Sequence, residues 1–365
     1  MTCGPTAPRA RDGLMYKCII RPLFFRTDPE WAHHFVMRMV RLFICHPPLS
    51  WIMRWWLNRG NGPLASVQMG LHFPNPVGLP AGFDKGGELA DGARNLGFAF
   101  VEVGTVTPKP QPGNPKPRLF RLPKDEAIIN RMGFNSEGAE RVARRLARRR
   151  ANRIPLGASL GKNTSTPQAQ ALDDYLVALR ALSPLVDFLV VNVSCPNVAN
   201  LCELQREDTL GPLISGIVSE QVRLGRKLPL LLKLGPHQSE AALRATVRLA
   251  LEHGADGFVA CNTSPRREGL VSDAALVESI GTGGLSGLPL REEALRTVRI
   301  LRDEAGPGVP IIGVGGIFTG ADALAMLQAG ASLVQILTGF IYEGPLAARR
   351  INRYLRRHVN DIPVW

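Results

Sequence analysis

From residue 77 onward, short apolar runs alternate with amphipathic stretches. The runs at 77–82, 98–107, 155–161, 188–194, 229–234, 257–264, 309–316 and 332–340 predict strands. The patterns near 87–96, 137–151, 167–183, 207–223, 238–253, 290–304, 320–328 and 344–358 predict helices. Because the runs are apolar throughout rather than alternating, the strands should be buried on both faces, as in a parallel sheet covered by helices. Eight such βα units predict an α/β fold, the (β/α)8 TIM barrel, with its chemistry at the C-terminal strand ends. A doubly wound open sheet is the alternative, but no GxGxxG follows its first strand.

A different pattern precedes the barrel. Asp28-Pro29-Glu30 reads as a helix start, with Asp as N-cap and Pro at the first helical position. Trp31, Phe35, Met39, Val40 and Phe43 follow at helical spacing. Pro47-Pro48 breaks the run, and Ser50 can cap a second short helix carrying Trp51, Ile52, Trp55 and Trp56. Arg38, Arg41, Arg54 and Arg59 are interleaved with these indoles, a pattern suited to an in-plane membrane helix. A helical hairpin packed on its own domain is the other reading. The expected division is a disordered leader over 1–14 (or upstream sequence, if Met15 is the start), an N-terminal amphipathic helical extension over 15–60, and the barrel over 61–365.

Hydrophobic residues at 45% and charged residues at 21% exclude a disordered or fibrous chain. The net charge of +13 leaves nucleic acid, an anionic membrane surface and an anionic small molecule open as partners. Residues 1–60 hold nine Lys/Arg against Asp12, Asp28 and Glu30, a local +6. The arginine run over 141–153 falls on a barrel helix and reads as a solvated face rather than a phosphate patch. None of the six cysteines forms a CxxC pair, so reduced thiols are expected and no metal site is. No run reaches the roughly 18 apolar residues needed to span a bilayer.

Polar residues gather at the predicted strand ends: Ala81-Gly82-Phe83-Asp84-Lys85, Asn192 through Cys195 to Asn197, and Asn262-Thr263. Lys233 lies within an apolar run, and a buried lysine needs either a ligand or an ion pair with a neighbouring strand. Gly283, Gly284, Gly287, Gly315, Gly316 and Gly339 crowd the last turns, where backbone N–H groups can approach a phosphorylated cofactor. The long connection over 108–135 is expected to act as a lid carrying Asn130, Met132, Gly133, Phe134 and Asn135.

Taken in order, NPVGLPAGFDKGGE (75–88), FVEVGTVTPKPQPGNPKPRLFRLP (100–123), INRMGFNS (129–136), VVNVSCPN (190–197), GTGGLSGLPLR (281–291), VPIIGVGGI (309–317) and SLVQILTGFIYEGP (332–345) resemble dihydroorotate dehydrogenase. The extension and the proline-rich loop resemble its membrane-associated, quinone-using class. The resemblance implies an FMN-dependent oxidation of (S)-dihydroorotate to orotate in pyrimidine synthesis. It implies a peripheral place on the cytoplasmic face of the cell membrane, contact with anionic lipid through 15–60, and no nucleic-acid partner. For FMN it implies Ala81, Gly82, Phe83, Asp84, Lys85, Thr105, Asn130, Ser159, Asn192, Lys233, Cys261, Ser286, Gly287, Gly315, Gly316, Leu337 and Thr338. For the substrate it implies Lys85, Asn130, Arg131, Met132, Gly133, Phe134, Asn192, Asn197, Asn262 and Thr263, with His33 and Arg121 at the quinone entrance.

This chain departs from the quinone class at several positions. Cys195 stands where that class has a serine base, as the soluble class does; a thiol, ordinarily of pKa about 8.5, is a more accessible base than a hydroxyl. Val198 also follows the soluble class, while Ser159, Cys261 and Leu337 replace an asparagine, a threonine and a tyrosine, and Cys202 replaces a common arginine. Two alternatives are a tRNA dihydrouridine synthase-like flavoenzyme and a degenerate flavoprotein without turnover.

Overall fold

A computed structural model describes residues 13–44, 62–149, 154–195, 197 and 201–363. The second tryptophan helix expected over 50–56, Val198, residues 150–153 of the arginine run and the Cys202 side chain lie outside the described residues.

Eight parallel strands close into a barrel in chain order: β1 (Val77–Leu79), β2 (Phe100–Val106), β3 (Leu156–Leu160), β4 (Phe188–Asn192), β5 (Leu230–Leu234), β6 (Gly257–Ala260), β7 (Ile311–Val314) and β8 (Leu333–Gln335). Val334 of β8 lies opposite Val77 of β1 and shuts the ring. Nearly every strand residue is buried, which is why the runs read as apolar throughout. Phe100, Phe188, Val190, Leu231, Val259 and Ile312 fill the interior as one cluster. The hairpin Ser66–Gln68/Leu71–Phe73, just before β1, contributes Phe73, whose ring meets Phe100 edge-on at 5.4 Å. Gly78 and Gly157 face these rings: a Cβ on either would lie 2.3 Å from Phe100 or Phe188.

The strands match the expected segments but are shorter at several ends. β6 stops at Ala260, and β8 at Gln335, after which Thr338–Glu343 turns helical and takes Gly339 out of the sheet. The helix expected over 87–96 is a single 3-10 turn, Ala93–Leu96. The reason is local: the Asp84 carboxylate accepts the Glu88 and Leu89 N–H groups at 2.8 Å each, and Gly87 and Gly97 take positive φ. The lid is more ordered than a loop. Leu119–Leu122 pairs antiparallel with Ala127–Asn130, which pairs in turn with Gly284–Gly287 from beyond β6.

The Pro29–Met39 helix starts as expected, with the Asp28 side chain accepting the Trp31 N–H at 2.8 Å. An earlier helical stretch, Tyr16–Ile20 and Arg21–Phe25, docks on the far end of the chain. Tyr16 donates to the Ile341 carbonyl (2.6 Å), Lys17 pairs with Glu343 (2.5 Å), and Phe25 meets Tyr342 edge-on at 5.1 Å. Ala32, Met37 and Val40 are buried, whereas Leu14, Met15, Ile19, Leu23, Trp31, Phe35 and Leu42 are exposed. The segment therefore packs on the barrel by one face and leaves a second apolar face bare.

Candidate active site

A cavity of about 660 Å³ runs from beneath the N-terminal helices to the barrel mouth. Its lining includes nearly every residue singled out by sequence. Ala81, Gly82, Phe83 and Lys85 come from the β1 end, Thr105 from β2, Asn192, Cys195 and Asn197 from the β4 end, and Lys233 from β5. Cys261, Asn262 and Thr263 follow β6, while Gly315, Gly316, Leu337 and Thr338 follow β7 and β8. The lid sheet contributes Arg121, Asn130, Met132, Gly133, Phe134, Ser286 and Gly287, and the helices contribute His33.

Three of the residues named for ligand contact lie outside this lining. Asp84 is fully buried beneath it, capping the 3-10 turn, and burial pushes its carboxyl up to about 6. Ser159 sits behind Thr105, hydroxyl to hydroxyl at 3.0 Å. Arg131 turns away and ties the lid to the carbonyls of Pro117, Ile280 and Thr282.

At the mouth, amide side chains form a chain of donors and acceptors. Asn192 donates to the Thr105 hydroxyl (2.8 Å), Asn262 donates to Ser194 Oγ (3.1 Å), and Asn197 donates to Asn130 Oδ1 (3.1 Å). The Tyr175 hydroxyl fixes the Asn192 carbonyl at 2.9 Å. Cys195, only 9% exposed, stands among these groups as a thiol. Lys85 donates to Asn135 (2.6 Å); burial, reinforced by the nearby Arg118 charge, lowers its pKa to about 8. The mouth thus offers one cation, amide donors and acceptors, and a proton acceptor.

Deeper in, Lys233 pairs with Glu102 of β2 at 3.2 Å, and Gln335 of β8 donates to the same carboxylate at 2.9 Å. Lys233 is therefore ion-paired, but across the barrel with β2 rather than with a neighbouring strand, and its side chain still reaches the cavity. Neither Glu102 nor Gln335 stood out by sequence, although a glutamate within the apolar run 98–107 carries the same signal as Lys233. Gln335 Oε1 is buried and has no hydrogen-bond partner among the described residues, leaving an acceptor beside the cavity. Burial raises the Cys261 thiol.

On the opposite wall, Ser286 and Thr338 share a hydroxyl–hydroxyl bond at 2.8 Å beside Gly315 and Gly316. Gly316 has φ +67, and a Cβ there would lie 2.4 Å from Arg291 Cβ. Gly316→Ala is accordingly expected to shift this turn and destabilise the fold by over ~1 kcal/mol, since a left-handed turn under steric conflict costs about that much. The thermal-unfolding midpoint measures it, and an unchanged midpoint would contradict it.

The helical arm of the cavity is apolar apart from Tyr16, Glu30, a neutral His33 and the Arg121 cation. His33 meets Phe83 edge-on at 5.0 Å, and burial lowers its pKa to about 4. Arg121 donates to the Phe24 and Thr27 carbonyls at 3.0 and 2.9 Å and lies over the Phe25 ring.

A family model described as dihydroorotate dehydrogenase matches residues 64–359. The "Dihydroorotate dehydrogenase (quinone)" of Chloroflexus aurantiacus is 45% identical over 356 residues, covering 95% of this chain and 98% of its own. The protein of the same name from Christiangramia forsetii is 44% identical over 340 residues, covering 93% and 98%. Among solved structures, DHODH from Eimeria tenella in complex with ferulenol superposes with a TM-score of 0.83 at 37% identity, covering 91% of this chain and 92% of that one. The ligand-free form gives 0.81 at 38% identity, covering 91% and 95%.

Proposed function

This chain belongs to the dihydroorotate dehydrogenase family, and from that premise we propose how its cavity oxidises (S)-dihydroorotate to orotate and passes the electrons to a quinone. The observation that carries the reading is the single cavity joining the polar cluster at the barrel mouth to an apolar arm under the N-terminal helices. One arm suits a small anion and the other a hydrophobic acceptor.

The deep wall fits FMN. A Cβ on Gly82 would enter the cavity with only Leu337 Cδ1 within 4 Å, so glycine leaves that face open to a flat ring. The unpaired Gln335 Oε1 supplies an acceptor, and Thr105, Asn192 and Lys233 line the same wall. Ser286, Gly287, Gly315, Gly316 and Thr338 would receive the phosphate, where backbone can approach closely. FMN held there would supply the hydride acceptor for substrate C6.

The chain's residues do the rest. Lys85 binds the substrate carboxylate, and Asn130, Asn192, Asn197 and Asn262 pair with the imide edge. Cys195, as its thiolate, takes the C5 proton on Sγ as C6 loses its hydride. Phe134 and Thr263 close the site against water. Lys233 offers positive charge where electron density arrives, held in place by Glu102, whose other oxygen accepts from Gln335. His33 and Arg121 line the quinone path.

No helix among the described residues is long and apolar enough to cross a membrane. The bare apolar face of 14–42, with Arg38 and Arg41 beside it, instead suits in-plane contact with anionic lipid on the cytoplasmic face of the cell membrane. Pelleting with anionic but not neutral vesicles is the expected result, and equal recovery with both would count against it.

The decisive experiment is anaerobic. Dihydroorotate should bleach the protein-bound flavin, and a short-chain quinone should restore the colour far faster than fumarate or NAD; equal or reversed rates would overturn the acceptor assignment. Lys85 adds a pH signature. It carries its charge below about 8 and loses it above, so orotate affinity should fall by up to about tenfold per pH unit beyond that point. Lys85→Met should bind weakly throughout, with that alkaline limb flattened; an unchanged limb would assign the titration elsewhere.

A further inference from the structure

One side chain joins the N-terminal helix to the substrate end of the cavity. Arg118, on the lid and 8% exposed, donates Nε and Nη2 to the two oxygens of Glu30 at 3.2 and 2.6 Å. Its Nη1 donates to the carbonyls of Pro112 (2.6 Å) and Asn114 (2.8 Å). Glu30 lies in the first turn of the Pro29–Met39 helix and is 6% exposed. Lys116 also pairs with Glu30 at 3.4 Å, but from an exposed position; the rigid buried guanidinium is what clamps that helix to the 112–114 turn.

The turn is itself wedged into the substrate site. The Asn114 N–H donates to the Met132 carbonyl at 3.0 Å, and its side chain donates to the Asn197 carbonyl at 3.1 Å. Gly133 has φ +68, and any side chain there would overlap the Asn114 amide. Asn114 thus stands between Met132-Gly133 and Asn197, all of which line the cavity, while Arg118 itself does not.

We propose that the Glu30–Arg118 pair is a positioning couple by which the seating of the N-terminal helix sets the dihydroorotate end of the site. The proposal rests on the assignment of that end given above. Its consequence is that the helix, which lines the acceptor arm, also governs the first half-reaction. Coupling of this kind is reciprocal: what the helix does to orotate binding, orotate does to the helix.

Three variants of the flavin-loaded protein test it. Glu30→Gln and Arg118→Lys remove the fork geometry conservatively, and Lys17→Ala loosens the separate Tyr16–Phe25 stretch at Glu343 while leaving the Pro29–Met39 helix seated through Arg118. Glu30→Gln and Arg118→Lys should each raise the orotate Kd and slow flavin reduction by about tenfold, within the usual range of such couplings, with reoxidation by short-chain quinone changed less than about twofold. Lys17→Ala should leave orotate binding and reduction unchanged. The double variant should behave like either single one, because both break one link.

Hydrogen exchange reads the link directly. Amides over 112–118 and 130–134 should exchange faster in Glu30→Gln, and orotate should protect 29–39 in the unsubstituted protein only. A lower melting midpoint with unchanged orotate Kd and reduction rate would make the pair a structural pin and overturn the proposal, as would unchanged exchange over 130–134. The ligand-free exchange comparison needs no substrate. A failure of the unsubstituted protein to bind orotate would therefore overturn the assignment of the site, and would be seen separately.

Discussion

Cys195→Ala is expected to slow flavin reduction by dihydroorotate by about 10²–10⁴-fold, the usual contribution of a positioned general base. Flavin should remain bound, because the residues assigned to hold it come mainly from other strands, from Gly82 and Thr105 round to Lys233, Gly316 and Thr338. The thiol is 9% exposed, so bulk water has little access to replace it as proton acceptor. Cys195→Ser should retain part of the rate and reach its plateau at higher pH, since a hydroxyl ionises less readily than a thiol. Anaerobic stopped-flow absorbance measures both variants. Reduction of Cys195→Ala at the unsubstituted rate would place the base elsewhere.

Lys233→Met should be the most damaging single change to the folded protein. It leaves Glu102, with its side chain fully buried, facing only the Gln335 amide. Stranding one member of a buried pair costs about 3–5 kcal/mol, which in a domain of this size lowers the melting midpoint by roughly 5–8 °C. Flavin affinity should fall as well. The double change Lys233→Met with Glu102→Gln separates the two effects: stability should largely return, because no buried charge remains, while flavin affinity stays low. Recovery of both together would mean that Lys233 serves the fold alone.

The sequence carried the barrel well because each strand declares itself locally. An apolar run such as 229–234 is buried whichever neighbours it acquires, and the glycine turns mark where the runs end. Most of the cavity lining was legible for a similar reason, since polar residues at successive strand ends must converge once the ring closes. What stayed hidden depends on partners distant along the chain. Arg118 and Glu30 are separated by 88 positions, and nothing near either residue announces the other. The pairing of Gly284–Gly287 with the lid needs the ring to close first. Asp84, Ser159 and Arg131 sit beside lining residues, but their side chains turn behind the wall, and adjacency in sequence does not report that.

The docking of Tyr16 and Lys17 onto Ile341 and Glu343 spans 325 and 326 positions. A ribosome adding about 5–20 residues per second needs roughly 15–65 s to cover that distance. For most of that interval Phe25 has left the ribosome without Tyr342, whose ring later meets it. A segment made early therefore finds its place late. A nascent chain arrested before residue 341 should be markedly more sensitive to protease at its N-terminal end than the finished protein. Any chaperone or lipid that shelters this segment during synthesis would act on yield rather than on turnover.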